Sequence, residues 1–424
     1  MKFCNRCMYP ENHALNIIID DVGICSGCRV HEEKFEIDWA AKKEELGEIL
    51  AQYKNRSESS YDCVIPVVGS GDDFFVVDTI KNVFGLNPLL VTYNTHFSTK
   101  VGVRNLARLI TQLDCDHMMS TVGPDTVKEI TRITLRQFGD MYWHVLAGSQ
   151  TFPVQVATKL NIPLIIWGVN GWLDQVGMFS HHDRVEMTKK VRKEHALRGF
   201  DAEALNRLRE RITTKDLQAF TYPTDTQLEK SRVRGIYLGN YVFWDSQRQI
   251  EAMIERYGYE THAQERTYNT YESIHCMNNA GVHDYVKYIK FGYGKVNDHV
   301  ARDIRLKRMD KTRGLELIRQ YLGVKPAALD LFLEWVGMTE AEFFRCIEPF
   351  RDPRAWQKDE AGAWICVGSV LDATIGDATG AELPVDDPRS FKLTTLLEDQ
   401  TDFKDYILLG RSYIDEKNFK AIEG

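Results

Sequence analysis

Three groups of residues have types and spacings that could do chemistry. Cys4 and Cys7 form one CxxC pair, and Cys25 and Cys28 form another seventeen residues later. Two such knuckles can turn four thiolates toward one tetrahedral ion, and four protein ligands leave no open coordination position. A metal held here is structural, with zinc the first choice and an iron centre or a pair of unligated redox knuckles the alternatives. Zinc binding contributes on the order of 10 kcal/mol to folding a ribbon too small for a core of its own.

The second group lies in 64-VIPVVGSGDDFFVV-77, which reads as a strand, a turn of Gly69, Ser70 and Gly71, and the apolar start of a helix. Strand, glycine-rich turn and helix N-terminus together make a cradle for phosphate. Yet Asp72 and Asp73 stand where phosphate needs positive partners. Asp72 suits a plain N-terminal cap as well as a catalytic or Mg²⁺-binding role, and Asp73 reads as a first-turn acid or a metal ligand.

The third group is 281-GVHDYVKYIKFGYGKVNDHVARDIRLKRMD-310, which concentrates His283, Lys287, Lys290, Lys295, His299, Arg302, Arg305, Lys307 and Arg308 in a chain of net charge -8. His283, Lys287 and Lys290 share one face of a helix, and Asp298, His299 and Arg302 repeat the arrangement further on. Such a cluster is an anion site or a solvated stripe.

The elements that must position these groups follow from hydrophobic periodicity. Short apolar runs at 63–68, 88–94, 116–121 and 163–169 read as strands separated by amphipathic helical segments. The alternation predicts an α/β fold: a doubly wound parallel sheet, preceded by the zinc ribbon and followed by a mainly helical C-terminal region. Ligands of such sheets sit at the carboxyl ends of the strands. That places Thr92, Tyr93, Asn94, Trp167 and Gly168 beside Gly69 to Asp73, although Trp167 reads more as a core residue than as an adenine platform. The expected divisions are a ribbon at 1–37, a helix and linker at 38–60, a nucleotide-binding α/β unit at 61–185, a substrate-binding region at 186–375 and a tail at 376–424. His181 and His182 in FSHHDR face opposite ways in extended chain and make a poor metal pair. Cys276, Cys346 and Cys366 have no partners at motif spacing and read as buried apolar residues.

Composition narrows the function classes. The chain has 424 residues, 43% hydrophobic and 27% charged, as a globular protein does. Its acidic balance argues against a general nucleic-acid binder. No apolar run approaches the roughly 20 residues of a membrane span, and MKFCNRC lacks the apolar stretch of a signal peptide. A cytoplasmic protein is expected, and a homodimer stays open.

Several stretches resemble the N-acetyl sugar amidotransferases of the PP-loop ATP pyrophosphatase superfamily, which act in bacterial surface-polysaccharide and nonulosonic-acid pathways. They are the CNRC and CSGC knuckles, YDCVIPVVGSGDD, GLNPLLVTYN, VGVRNLARLI, FPVQVATKLNIPLIIWG, and above all HDYVKYIKFGYGK followed by DHVARDIR. The resemblance runs from residue 1 to about 360. It implies ATP and Mg²⁺ at the loop after the first strand, with Asp72 and Asp73 in catalytic roles. It implies a sugar or sugar-nucleotide substrate at His283, Lys287, Lys290, Asp298, His299, Arg302 and Arg305. It also implies ammonia supplied by a separate glutaminase through a cyclase-like partner, and conversion of a sugar N-acetyl group to an acetamidino group.

The chain departs from the family pattern at two places. Laid on SGGxDS, it reads Val68-Gly69-Ser70-Gly71-Asp72-Asp73, so only Gly69 and Asp72 match. The two cysteines of a CWxC-like segment are replaced across Tyr142-Trp143-His144-Val145. Three readings follow: an ATP-dependent amidotransferase with an unusual loop, a divergent enzyme using another ligand or no ATP, and an inactive sugar-nucleotide-binding or scaffolding protein.

Overall fold

The computed structural model describes residues 1–56, 59–208 and 211–376; the tail expected at 376–424 therefore lies outside the described residues apart from Gly376. Five parallel strands form the central sheet: β1 (Cys63–Pro66), β2 (Pro88–Tyr93), β3 (His117–Ser120), β4 (Leu164–Trp167) and β5 (Arg234–Tyr237), in the order β3-β2-β1-β4-β5. The four strands read from the sequence are present. The fifth comes from within the stretch read as mainly helical and extends β4 in parallel, Ile165 opposite Gly235.

Period-two alternation gives the four strands other than β3 two packed faces, while β3 lies at the edge with Met118 and Met119 exposed. Val64, Leu89, Val91, Ile165 and Trp167 pack against Val154, Val156 and Ala157 of one helix. Cys63, Ile65, Leu90, Leu164, Ile166 and Ile236 face the opposite layer with Phe74, Val77, Ile250 and Met253. Burial on both faces is why these strands read as continuous apolar runs.

The helices up to the last strand of the sheet are α1 (Ser26–Glu33), α2 (Trp39–Ala51), α3 (Gly71–Asp78), α4 (Lys100–Gln112), α5 (Pro124–Phe138), α6 (Trp143–Leu160), α7 (Gly171–Asp174), α8 (Ala202–Arg207) and α9 (Asp225–Ser231). Then come α10 (Ser246–Tyr257), α11 (Met277–Phe291), α12 (Lys295–Arg305), α13 (Lys311–Tyr321), α14 (Ala328–Val336) and α15 (Glu340–Ile347), followed by a hairpin of β6 (Trp356–Lys358) and β7 (Trp364–Cys366). Among the described residues no helix is long and apolar enough to cross a membrane.

Chain order runs outward from β1 to β3, then returns to β4 on the other side of β1. A doubly wound sheet opens a crevice at such a reversal, outside the carboxyl ends of the two flanking strands. Here these ends carry the Gly69 turn and the segment leading into α7. The N-terminal ribbon packs on the same end, where Cys4, Cys7, Cys25 and Cys28 share a core with Leu173, Val176, Phe179 and Ala301.

Candidate active site and metal centre

The four ribbon cysteines are buried and their sulfurs all lie within 4.8 Å of one another. Cys4 and Cys28 sulfurs are 3.9 Å apart, and those of Cys7 and Cys25 are 3.5 Å apart. A tetrahedron with Zn–S bonds of about 2.3 Å has edges of roughly 3.8 Å, so the thiolates fit a zinc ion. Arg305 was expected at the substrate, but its guanidinium reaches the sulfurs of Cys7 at 3.6 Å and Cys25 at 3.4 Å, and the carbonyl of Gln175 at 2.6 Å. Gly27 makes this approach possible, since a Cβ there would lie 2.3 Å from Arg305. Arg305 therefore neutralises thiolate charge and ties α12 to the ribbon.

The turn after β1 has a specific internal arrangement. Ser70 caps α3 by accepting from the Asp73 amide at 3.2 Å, and Asp73 Oδ2 accepts from the amides of Ser70 at 2.9 Å and Val68 at 2.7 Å. This capping box is worth on the order of 1 kcal/mol and places the chain's own carboxylate on two amides that a phosphate would otherwise take. Gly69 is required by its φ of +81° and by the backbone of Leu106, 2.6 Å from where a Cβ would stand. Asp73 is thus a clasp of the loop.

Asp72 points elsewhere. Its Oδ2 accepts from Ser246 Oγ at 3.2 Å, while Oδ1 is buried without a hydrogen-bond partner. Burial, then the neighbouring Glu272, push its carboxyl up to about 8 against the opposing pull of Arg302. Glu272 is an acid for which the sequence offered no signal. It pairs with Arg302 through Oε1 and with His299 Nε2 at 3.3 Å, and His299 Nδ1 meets Thr267 Oγ1 at 2.6 Å. Although burial works against it, Arg302 holds Glu272 well below the usual carboxylate range. The segment bearing Glu272 is fixed in place by Thr99, whose hydroxyl and amide donate to the carbonyls of Ile274 and His275 at 2.7 and 2.8 Å.

Three further residues of the basic stretch line a separate cavity of about 480 Å³, whereas Lys295 bonds Ser273 and Arg308 pairs with Asp245. His283, Lys287, Lys290 and Asp298 are on its wall, with Phe138, Trp143, Trp172 and Phe291 as aromatic surfaces. Lys287 donates to Asp298 at 2.5 Å and, despite burial, keeps that carboxyl far below its ordinary range. Lys290 donates to the carbonyls of Phe138 and Gly139 at 3.2 Å each and makes no ion pair among the described residues. Burial lowers His283 to about 4, so its ring is neutral. Tyr142 stacks on it at 4.3 Å and reaches the Cys276 sulfur with its hydroxyl at 3.6 Å. Tyr142 therefore links the cavity wall to the segment that holds Glu272, and Cys276, read as an apolar core residue, is engaged through its sulfur. Aromatic faces beside fixed cations suit a sugar ring carrying anionic groups.

The nucleotide-binding candidates lie at strand ends, but several point inward. Thr92 Oγ1 donates to the Val67 carbonyl at 2.6 Å and meets His117 Nε2 at 2.8 Å. Tyr93 packs on Phe220 and meets His144 Nδ1 at 3.3 Å. Trp167 is buried in the sheet's core, and Asn94 donates to Thr121 Oγ1 at 3.2 Å. Gly168 passes beneath Trp244, whose ring lies 3.4 Å from where a Cβ would stand. His181 is buried against Trp39 and His182 is exposed, so the two do face different ways and form no metal pair.

Comparison with known proteins adds one firm relationship. Residues 265–370 match the family described as LPS biosynthesis protein WbpG-like, C-terminal domain. The matched region holds Glu272, α11 and α12, and with them the stretch HDYVKYIKFGYGK. No curated protein matches the chain. Among solved structures, the NMN synthetase of Francisella tularensis superposes with a TM-score of 0.27 and 12% identity over 52% of this chain and 96% of that one. The NH3-dependent NAD synthetase of Campylobacter jejuni gives 0.27 and 14% over 52% and 96%. The U34-tRNA thiolase NcsA of Methanococcus maripaludis, described with its [4Fe-4S] cluster, gives 0.27 and 12% over 78% and 91%. Superpositions this loose carry no functional inference.

Proposed function

We propose that the protein is a glycan-biosynthesis enzyme that replaces the carbonyl oxygen of a sugar N-acetyl group with nitrogen, using ATP to activate the amide. The observation that carries this reading is the arrangement on α12 and α11: Arg302 beside Glu272 and Asp72 at the mouth of the β1 loop, and the Lys287–Lys290 cavity joined to the same segment through Tyr142. The WbpG-like match over those helices supports a role in lipopolysaccharide biosynthesis.

In this reaction the amide oxygen attacks the α-phosphorus of ATP and pyrophosphate leaves. Ammonia then adds to the activated carbon, a proton is lost, and AMP departs with the oxygen. The protein's own residues would orient the sugar, shield the activated carbon from water, and balance charge through Arg302. Asp72, with its raised affinity for a proton, would hold or release one at Oδ1. Ammonia from a partner glutaminase fits a chain that must hold both a nucleotide and a sugar.

A second reading is favoured by Asp73, whose carboxylate already occupies the Val68 and Ser70 amides. With that clasp in place the loop offers phosphate fewer donors, and the protein would bind its sugar ligand without adenylation. Exchange of labelled pyrophosphate into ATP, measured with a panel of N-acetyl sugar nucleotides and ammonium, separates the two. Exchange together with a product in which nitrogen replaces the carbonyl oxygen supports the enzyme. Absence of exchange with every sugar sinks it.

A further inference from the structure

The amidation chemistry leaves one nucleophilic side chain unused. Cys276, read from its spacing as a buried apolar residue, ends a 3-10 turn at Ile274–Cys276 and stands immediately before α11. No side chain caps that helix, so the positive end of its dipole falls on the residue that carries the sulfur. The Tyr142 hydroxyl covers the sulfur at 3.6 Å. Against the opposing effect of burial, the His275 imidazole and then the Tyr142 hydroxyl draw the Cys276 thiol below its ordinary value. His275 in turn holds a proton more tightly than an ordinary imidazole, because Cys276 and then Asp73 outweigh its burial. Lys295 adds its positive charge, with the ammonium on Ser273 Oγ at 2.7 Å. A thiol beside an imidazole at a helix N-terminus is in the environment that makes cysteine a thiolate nucleophile.

A second observation marks the place as a ligand site. Asn279 is 2% exposed, and neither its amide oxygen nor its amide nitrogen has a hydrogen-bond partner. It stands three residues after Cys276 and four before His283, so the three share one side of α11, the side on which Tyr142 rests. Buried amide atoms are costly to leave unbonded, and an acetamido group has the donor and the acceptor to match them.

Cys276 also lies between the two halves of the reaction. Tyr142 stacks on His283, which lines the 480 Å³ cavity. In the other direction, His275 and Asp73 of the β1 loop are close enough for their charges to attract, and Thr99 pins the chain at Ile274 and His275. The activated carbon belongs to the sugar on one side and is joined through oxygen to the α-phosphorus on the other. A thiol placed between the two meets that carbon at short range.

We propose that Cys276 is the nucleophile of this amidation, holding the acetyl carbon as a covalent thioimidate between loss of AMP and arrival of ammonia. The proposal rests on the amidation reading and adds a step to it. The Cys276 thiolate adds to the carbon of the adenylylated imidate, and AMP leaves with the former carbonyl oxygen. Ammonia then adds to the same carbon, and the carbon–sulfur bond breaks with its electron pair returning to sulfur. All three protons of ammonia stay with the product, an amidinium, so the thiolate is regenerated. Asn279 orients the acetamido group, and Tyr142 leaves the sulfur to let the carbon reach it.

Two measurements test this, and the first needs neither ATP nor ammonia. N-chloroacetylglucosamine, free and UDP-linked, carries a chloromethyl carbon in place of the acetyl methyl, and a thiolate displaces its chloride to leave a thioether. Peptide mapping of the full chain should find Cys276 alkylated about tenfold or more faster than the less buried Cys115, Cys346 and Cys366, and protected by excess of the matching N-acetyl compound. His275→Gln should slow that labelling about tenfold. In the second measurement, ATP and a panel of N-acetyl sugar nucleotides without ammonia should leave on the Cys276 peptide the mass of the sugar nucleotide less one water, released by added ammonium. Cys276→Ser, its fold verified by circular dichroism, should keep pyrophosphate exchange and lose product formation about a hundredfold or more, a split that a purely structural role would not produce. Absence of exchange in the parent protein would overturn the amidation reading and the thioimidate with it, whereas labelling judges the thiol by itself. The thiol's role alone is overturned if Cys276 stays unlabelled while the less buried cysteines react, if the N-acetyl compound gives no protection, or if Cys276→Ser forms product at the parent rate.

Discussion

Asp73 Oδ2 accepts the backbone N–H of Val68 at 2.7 Å, closing the turn after β1 with a carboxylate from the first turn of the following helix. The negative charge that looked out of place beside a phosphate site has a local partner set within the loop itself.

Replacing Asp73 by Ser would open that clasp. Stability should fall by roughly 0.5–2 kcal/mol, the range for a lost helix cap, as read by urea denaturation. Removing the like charge and freeing two amides should tighten ATP binding in calorimetry. Weaker ATP binding by the variant would instead mark Asp73 as a partner of the metal or nucleotide.

Asp72 makes a pH prediction with a definite sign. Its folded-state value, about 8, lies above the ordinary 3.8, so the folded protein holds the proton more tightly than the unfolded chain. The stability this contributes is fully present below about pH 4 and declines toward pH 8, at no more than about 1.4 kcal/mol per pH unit. Asp72→Asn should match the parent near pH 4 and exceed it at pH 8 in denaturant melts. Parallel curves across that range would exclude a proton on Asp72.

Lys287 and Lys290 should behave differently despite sharing a helix face. Lys287→Ala strands the buried Asp298 carboxylate and should cost about 3–5 kcal/mol in thermal or denaturant unfolding. Lys290 hydrogen-bonds carbonyls and lies over the rings of Phe291 and Phe350 but strands no carboxylate, so Lys290→Gln should leave the fold nearly unchanged and lose ligand affinity. Equal stability loss in both would remove Lys290 from the binding site.

The thiolate cluster predicts one bound zinc per chain by elemental analysis. Cys25→Ser, or treatment with a strong chelator, should abolish it and unfold the ribbon, whose metal is worth on the order of 10 kcal/mol. Because Arg305 joins the cluster to α12, amide exchange should rise in α12 as well as in the ribbon. Protection confined to its original pattern in α12 would show that the two are uncoupled.

The cysteine site and the parallel sheet were legible in the sequence because both are local matters. CxxC spacing fixes how two sulfurs face one ion, and apolar runs of four to six residues between amphipathic stretches leave few alternatives to buried parallel strands. The resemblance read in HDYVKYIKFGYGK is likewise matched by the family found over residues 265–370. The strand β5 escaped notice because RGIY is short and depends on β4 for its pairing.

The destinations of the basic residues were decided only by tertiary structure. Periodicity determines which residues of α12 share a face but not what that face meets. Asp298 meets Lys287, Arg302 meets Glu272, and Arg305 meets thiolates nearly 300 positions away in sequence. Each partner arrives on a different element, brought there by packing of apolar surface that carries no record of charge. Sequence determined which residues could do chemistry; the fold decided which of them face one another.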